Sequence, residues 1–162
     1  MSEEEEKIKK MTRSERIKFE IEEFNTWKST ISCNGYPSEN DKIWNIIMDG
    51  PPDSPYNGGK FKIEITLGND YPQSPPIFKF KTEICHININ GETICMETLR
   101  LPENSNGKYK STYTIVYLLS QIFILLLIPN EDNAYGTYID LYRNDYTAYF
   151  AKARELTREK AK

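Results

Sequence analysis

The chain has few of the residues on which metal sites depend. Its 162 residues include a single histidine, His86, and only three cysteines, Cys33, Cys85 and Cys95. No two cysteines form a CxxC pair, and neighbours such as Cys85 and His86 fit poorly around one ion, so a zinc site is disfavoured. We expect no metal and no cofactor.

An excess of positive charge is also missing. Lysine and arginine number 21 against 24 aspartates and glutamates, and the formal net charge is -3. Nucleic-acid binders neutralise phosphates with Lys and Arg, and here no cluster of these residues outweighs its acidic surroundings. A nucleic acid is therefore not expected as a partner.

The sequence lacks a hydrophobic run long enough for a membrane. The longest one, from Tyr117 to Ile128, is interrupted by Ser120 and Gln121 and falls short of the ~20 residues that a span needs. It predicts a buried helix and no membrane contact. The first residues are acidic where a secretory signal would be basic and then apolar. Because the cysteine count is odd, we expect free thiols in a reducing compartment, the cytoplasm or the nucleus.

What is present suffices for one folded domain. Hydrophobic residues make up 38% of the chain and aromatic residues 12%, enough to bury a core. Residues 1–12 are charged and show no apolar face, so we expect a solvated tail or a frayed extension of the first helix. The domain is expected over residues 13–162.

Hydrophobic periodicity predicts an α+β domain. Between Arg13 and Lys28, apolar residues recur at helical spacing: Ile17, Ile21, Phe24 and Trp27. Four short strands then follow within residues 31–37, 42–48, 61–66 and 77–81. Their connections are too short for a helical crossover, which predicts an antiparallel meander.

The second half of the chain should be mainly helical. A long irregular region, about 83 to 113, comes first, and ordered domains usually use such regions for function. Thr114 can cap a helix that is apolar on nearly every face and closes at Pro129. Two more helices are expected at about 134–142 and, capped by Asp145, at about 146–160.

Four motifs occur in a meaningful order. They read GPPDSPYNGGKF from residue 50, YPQSPP from residue 71, ICMETL from residue 94 and PNEDN from residue 129. Each alone is ordinary turn chemistry. Together they resemble the GPxxSPYxGGxF, YPxxPP, ICLDxL and PNxxD segments of the ubiquitin-conjugating enzyme family. The resemblance covers Arg13 to the end and implies the UBC fold: an N-terminal helix, a four-stranded antiparallel meander, a long active-site loop, a central buried helix and two C-terminal helices.

The resemblance also implies an activity. Members accept ubiquitin, or a ubiquitin-like protein, from an activating enzyme as a cysteine thioester and pass it to a substrate lysine, usually with a ligase. Cys95 matches the family nucleophile. The expected partners are the modifier, the activating enzyme, a ligase and a protein substrate. Exchange between thioesters is nearly isoenergetic, and amide formation is downhill.

Three further residues receive roles from the resemblance. Asn88 would donate to the oxyanion of the transfer step or hold the loop in shape, the simpler alternative being that it only satisfies loop backbone. His86 would fold the loop structurally, although residue types alone would suggest a general base paired with cysteine. Asp132 is a candidate for activating the incoming lysine, while the position that best matches the family's acid is Asn133.

Contacts with partner enzymes are predicted in the same way. Arg13 and Arg16 face away from the apolar stripe of the first helix and resemble the basic residues that dock the activating enzyme; a solvated helix face is the alternative. Two loops contact ligases in the family. Their residues here are Pro72, Gln73, Ser111 and Thr112. Because Gln73 stands where members that work with HECT-type ligases commonly have phenylalanine, a RING-type ligase is favoured.

Three departures from the family pattern leave an alternative open. Ile87 replaces the proline of the HPN motif, the stretch from Asn88 to Cys95 is one residue shorter than usual, and Asn133 is not acidic. A catalytically weak or inactive variant that presents ubiquitin as a scaffold is the second hypothesis. A thiol hydrolase is a third, disfavoured because the chain lacks a second histidine and a partner acid placed for a triad.

Overall fold

The computed structural model describes residues 1–104 and 106–162. Over this part of the chain the helices are α1 Glu3–Lys9, α2 Arg13–Trp27, α3 Ile115–Leu127, α4 Ile139–Asn144 and α5 Tyr146–Lys160. The strands are β1 Cys33–Gly35, β2 Ile43–Asp49, β3 Lys60–Thr66, β4 Ile77–Phe80, β5 Ile89–Asn90 and β6 Thr93–Ile94. Short 3-10 turns lie at Glu97–Leu99 and Glu131–Asn133.

The charged N-terminal residues form a helix of their own. The Ser2 hydroxyl accepts a hydrogen bond from the Glu5 N–H, and the Glu5 carboxylate accepts one from the Ser2 N–H, at 3.1 and 3.0 Å. Glutamates fill the first turn, where the helix dipole favours negative charge. Ile8, near the end of the helix, is buried. Where a solvated tail or a frayed extension of the first helix was expected, the structure shows a separate capped helix whose residues are mostly exposed.

Helix α2 has the expected extent and most of the expected stripe. Its N-cap is Thr12, whose side chain and Glu15 form a second capping box. Ile17 and Phe24 are buried. Trp27, expected in the same stripe, is 49% exposed, because it occupies the last residue of the helix and lies beyond the packed face.

The sheet is antiparallel, with strand order β1-β2-β3-β4-β6-β5. The four predicted strands are confirmed, and two that were not predicted extend the sheet at its edge. Strands β5 and β6 have two residues each, too few for alternation to be visible in sequence. They form a hairpin that turns at Gly91, which has a φ of +58° and so favours glycine. Thr93 of β6 pairs with Lys79 of β4. The region from 83 to 113 is thus partly regular; within it, Ser105 lies outside the described residues.

The core forms between one face of the sheet and the helices. Alternate residues of β2 and β3 are buried, among them Ile46 and Ile63, and they join the cluster that includes Leu118 and Ile122 of α3. The Thr114 hydroxyl accepts from the Tyr117 N–H at 3.1 Å, which confirms the predicted cap of α3. None of the described helices is both long and apolar enough to cross a bilayer.

The C-terminal helices differ from the prediction at one boundary. Asp145 caps α5 as expected, accepting from the Ala148 N–H at 3.0 Å. Helix α4 begins at Ile139, several residues later than predicted. The segment before it contains Gly136 with a φ of +97°, a conformation outside the right-handed helical region. This irregular stretch carries Tyr135 toward the β5–β6 hairpin.

Candidate active site around Cys95

The short hairpin positions Cys95. Ile89 pairs with Ile94, and the Cys95 N–H donates to the Asn88 carbonyl at 2.8 Å, so the cysteine emerges directly from the sheet edge. Cys95 is partly exposed, whereas Cys33 and Cys85 are buried. Burial raises the pKa of each of these two thiols to about 12, which keeps them protonated near neutrality. Cys95 is therefore the accessible thiol.

Two grooves meet at this thiol. We call the first the proline groove; it has a volume of about 560 Å³, includes Cys95, and is further lined by Pro75, Pro76, Ile77, Leu99, Arg100 and Tyr135. We call the second the helix groove; it has a volume of about 260 Å³, also includes Cys95, and is further lined by Glu97, Thr98, Gln121, Ile124, Ile128 and Asn133. A thiol between two open grooves has room for an extended chain on one side and a second reactant on the other.

His86 holds the loop and has no free nitrogen. Its Nδ1 accepts from the Asn88 N–H at 2.9 Å, and its Nε2 lies 2.9 Å from the Leu125 carbonyl, to which it donates. Burial lowers the pKa of His86 from 6.5 to about 4, so the ring is neutral near pH 7. Both nitrogens are committed to backbone groups, and the imidazole links the loop to the end of α3. The contacts are those of a structural residue.

The side-chain amide of Asn88 is likewise hydrogen-bonded to backbone groups. It is completely buried, its Oδ1 accepts from the Asn130 N–H at 2.9 Å, and its Nδ2 donates to the Asn130 carbonyl at 2.7 Å. This pairing fixes the PNEDN segment beside the loop that carries Cys95. Of the roles expected for Asn88, its contacts support stabilisation of the loop, because the amide is already engaged and turned into the protein.

The acidic candidate does not line the helix groove. Asp132 is exposed and its N–H donates to the Asn130 side chain at 3.0 Å, whereas Asn133 lines the groove with Cys95. A carboxylate is present there nonetheless, that of Glu97. The Lys108 ammonium, and after it Asn133, lower the pKa of Glu97. Sequence reasoning passed over Glu97, although its place two residues after the cysteine was a usable signal.

Tyr135 is a second residue that sequence reasoning missed. Its N–H donates to the Ile87 carbonyl and its hydroxyl to the Thr93 carbonyl, both at 2.9 Å. The side chain therefore spans the hairpin and forms one wall of the proline groove. Ile87, which replaces the family proline, is buried in the core. Tyr135 lies just after the PNEDN motif, and nothing in its local sequence indicates contact with the hairpin.

Arg16 does not lie on a solvated face, and its burial leaves no guanidinium at the surface for the predicted docking of the activating enzyme. Arg16 is fully buried: its Nε donates to Glu20 Oε1 at 2.6 Å, and its terminal nitrogens donate to the carbonyls of Ser111 and Tyr113, each at 2.7 Å. Each guanidinium nitrogen has one hydrogen-bond partner inside the fold, and these bonds offset the desolvation of the charge. Arg16 thus supports the Ser111–Thr112 loop from beneath.

The remaining predicted contact residues come together on the surface. Arg13 is half-buried and donates to the Gly68 carbonyl at 3.0 Å. The Tyr109 hydroxyl donates to the Pro72 carbonyl at 2.8 Å, which joins the two loops assigned to ligase contact. Gln73 is exposed, while Pro72, Ser111 and Thr112 are half-buried. These loops form one continuous surface at this end of the molecule.

Among residues 1–104 and 106–162, no group of three or more His, Cys, Asp and Glu residues is arranged to hold an ion.

The sequence is similar to a known protein family and to several of its members. The model of the ubiquitin-conjugating enzyme family matches residues 8–157. The chain is 36% identical over 132 residues to probable ubiquitin-conjugating enzyme E2 31 of Arabidopsis thaliana, covering 80% of this chain and 82% of that protein. It is 34% identical over 129 residues to ubiquitin-conjugating enzyme E2 pex4 of Dictyostelium discoideum, covering 76% and 83%. A probable ubiquitin-conjugating enzyme of Acanthamoeba polyphaga mimivirus is 33% identical over 126 residues, covering 76% and 77%.

The chain belongs to the ubiquitin-conjugating enzyme family. The predicted family and the predicted α+β UBC fold are confirmed, with a sheet that has six strands among the described residues in place of four.

Proposed function

We propose that the protein is an active ubiquitin-conjugating enzyme. It accepts ubiquitin, or a ubiquitin-like protein, from an activating enzyme as a thioester on Cys95 and transfers it to a substrate lysine, usually with a ligase. The observation that carries this proposal is the position of Cys95: a partly exposed thiol at the junction of two grooves, in a chain whose other two cysteines are buried.

Loading is a transthiolation. The Cys95 sulfur attacks the thioester carbonyl of the modifier on the activating enzyme, and the carbon–sulfur bond to the activating enzyme breaks as the new one forms. The exchange conserves one thioester, so it requires little driving force. A dedicated base is not needed, in keeping with His86, whose two nitrogens are bound to backbone groups.

Transfer to lysine makes greater demands. The amine attacks the carbonyl carbon, the amide bond forms, and the Cys95 thiol leaves. An amine approaching along the helix groove meets Glu97 and Asn133 and not Asp132. A carboxylate held in its ionised form orients and desolvates an approaching ammonium group before it loses its proton. Glu97, whose pKa is lowered by Lys108, supplies this group in our proposal.

The two loops that the Tyr109–Pro72 hydrogen bond joins are the surface that we propose for contact with a ligase. We assign ligase contact to Pro72, Gln73, Ser111 and Thr112. An exposed amide at Gln73 in place of an aromatic ring supports a RING-type ligase over a HECT-type one. Arg13 is the residue of α2 that we assign to the activating enzyme. The three free thiols support a reducing compartment, the cytoplasm or the nucleus.

A scaffold that presents ubiquitin without carrying it is the second candidate. Asn133 favours it, because the residue that lines the helix groove at the place of the family's acid bears no charge. The shortened hairpin does not favour the scaffold, because it still closes with a backbone hydrogen bond between Asn88 and Cys95.

A loading assay separates the two functions. The protein is mixed with ubiquitin, activating enzyme and ATP and analysed with and without reductant. We expect a reductant-labile adduct in the wild type and in Cys33→Ala, and a reductant-stable oxyester in Cys95→Ser. Absence of any adduct with ubiquitin and with ubiquitin-like proteins would overturn the carrier function and favour the scaffold.

A further inference from the structure

The turn in the GPPDSPYNGGKF motif packs against the C-terminal helix. A Cβ on Gly59 would lie only 2.7 Å from the Thr157 methyl group of α5, so glycine lets the turn and the helix touch. The Lys60 N–H donates to the Ala161 carbonyl at 3.0 Å, just beyond the end of the same helix. No residue of the motif lines either groove at Cys95. The motif therefore shapes a different part of the surface.

A pocket of about 310 Å³ lies between this turn and α5. We call it the basic pocket; it is lined by Asn57, Gly58, Arg154, Thr157, Arg158, Ala161 and Lys162. Three of these side chains are cationic and none is acidic. Arg154 and Arg158 are four residues apart on α5 and so share one face of the helix. Lys162 follows four residues later, beyond the end of α5.

The protein does not neutralise this charge. Within the described residues, none of the three cations of the basic pocket belongs to a salt bridge. Glu155 and Glu159 lie on the same helix but do not line the pocket, and Glu155 is paired with Lys152. A local excess of positive charge therefore exists in a chain whose formal net charge is -3.

The basic pocket also offers N–H donors. One terminal nitrogen of Arg154 donates to the Asn57 carbonyl, which holds the guanidinium against the turn. The Gly58 N–H has no hydrogen-bond partner among the described residues. A guanidinium presents its donors as a planar fork that matches phosphate oxygens, and backbone N–H groups in turns bind the same oxygens. The pocket thus combines charge with donors suited to an anion rich in oxygen.

Size and charge decide which anion fits. Three cations are few beside the row of phosphates on a nucleic acid, and the net charge of -3 repels such a polyanion. A carboxylate brings a single negative charge. A phosphate monoester carries about -1.5 to -2 at pH 7 and has three strong acceptor oxygens. The monoester is therefore the best match for a compact pocket with three cations.

We propose that the basic pocket binds a single phosphate monoester, the group present on phosphorylated serine and threonine side chains and on small phosphorylated metabolites. Arg154 and Arg158 bind its oxygens, and Lys162 adds to the positive charge. The pocket shares no residue with the grooves at Cys95. Its ligand is therefore measured without any reaction at the thiol.

The first experiment titrates the isotope-labelled full chain with O-phosphoserine and, separately, with serine at equal ionic strength. NMR follows the Nε–H signals of Arg154 and Arg158 and the amide signal of Gly58. We expect saturable shifts with O-phosphoserine and none with serine, and added sodium chloride should weaken binding. Equal shifts with the two compounds, or shifts that do not saturate, would overturn the proposal.

Charge reversal tests the pocket. Arg158 is exposed, so Arg158→Glu should leave the fold intact while weakening O-phosphoserine binding by at least about tenfold. Arg143→Glu is the matched control, because Arg143 is an exposed arginine on α4 outside the pocket, and it should bind as the wild type does. Thermal unfolding verifies that each variant is folded. Undiminished binding by folded Arg158→Glu, or an equal loss in Arg143→Glu, would contradict the assignment.

Three further probes identify the source of the phosphate. They are a peptide with phosphoserine between alanines, glycerol phosphate, and dimethyl phosphate, which is a diester with a single negative charge. If the peptide binds more tightly than glycerol phosphate, the ligand is a phosphorylated protein; otherwise it is a small phosphorylated molecule. Dimethyl phosphate that binds as tightly as O-phosphoserine would overturn the choice of a monoester.

Discussion

The side-chain amide of Asn88 pairs with the backbone of Asn130 through two hydrogen bonds, of 2.9 and 2.7 Å. The two residues are 42 positions apart in the chain, and their pairing holds the hairpin that ends at Cys95 against the segment that forms one wall of the helix groove. The shape of the site depends on this contact.

Replacing Asn88 with alanine should therefore both destabilise the protein and disturb transfer. The variant removes two part-buried hydrogen bonds between the side chain and the Asn130 backbone, each of which contributes about 0.5–1.5 kcal/mol. Urea denaturation should show this loss, and discharge of preformed thioester to free lysine should slow more than loading does. As a control, Asn90→Ala removes an exposed asparagine from the same hairpin and should change neither the stability nor the rate of discharge. If Asn88→Ala and Asn90→Ala gave the same stability and the same discharge rate, Asn88 would have no role in shaping the site.

The buried imidazole should make stability depend on pH. The pKa of His86 is lowered to about 4, below the ~6.5 of an unfolded chain. Between these values the unfolded state binds more protons, so stability is full above about pH 6.5 and falls as the pH drops toward 4, by up to about 3 kcal/mol. Because this is the only histidine, its NMR signal is unambiguous, and it should not titrate between about pH 5 and 8. A midpoint near 6.5 in the folded protein would refute this.

Glu97 should matter for transfer and not for loading. Glu97→Gln keeps the size of the side chain but removes the charge that meets the incoming amine, and we expect discharge to free lysine to slow by about tenfold. Single-turnover discharge on non-reducing gels gives the rate. Glu92→Gln is the control, since Glu92 is an exposed glutamate of the other groove. A Glu97→Gln thioester as reactive as the wild type would exclude the carboxylate from the reaction.

Substitutions at Arg16 and Arg13 should have different effects: the first on the stability of the fold, the second on loading by the activating enzyme. Arg16→Met leaves Glu20 buried without its cation and should destabilise the protein by about 3–5 kcal/mol in urea denaturation. Arg13→Met, at a half-buried residue, should change stability by less than about 1 kcal/mol while slowing loading by the activating enzyme. Lys18→Met, on the exposed face of the same helix, should affect neither; a loading rate unchanged by Arg13→Met would remove Arg13 from the docking surface.

The local sequence was sufficient to predict features that depend on a repeating pattern or on a short motif. The alternation in β2 and β3, the caps at Thr114 and Asp145 and the motif around Cys95, the proposed nucleophile, are readable because each depends on residues a few positions apart. Strands β5 and β6 have only two residues each, so no alternation of apolar and polar residues could indicate them. The N-terminal helix was missed because one buried isoleucine, Ile8, does not make an apolar face.

The amino-acid sequence by itself determined the family and the order of helices and strands, and it singled out Cys95 as the cysteine proposed to carry the modifier. Only the tertiary structure decided that Arg16 is buried, that Asn88 is paired with Asn130, and that Glu97, Arg100 and Tyr135 surround the thiol. Each of these depends on contacts between residues distant in the chain. Burial and pairing of a charged or polar side chain are set by what the fold brings against it, which no local pattern records.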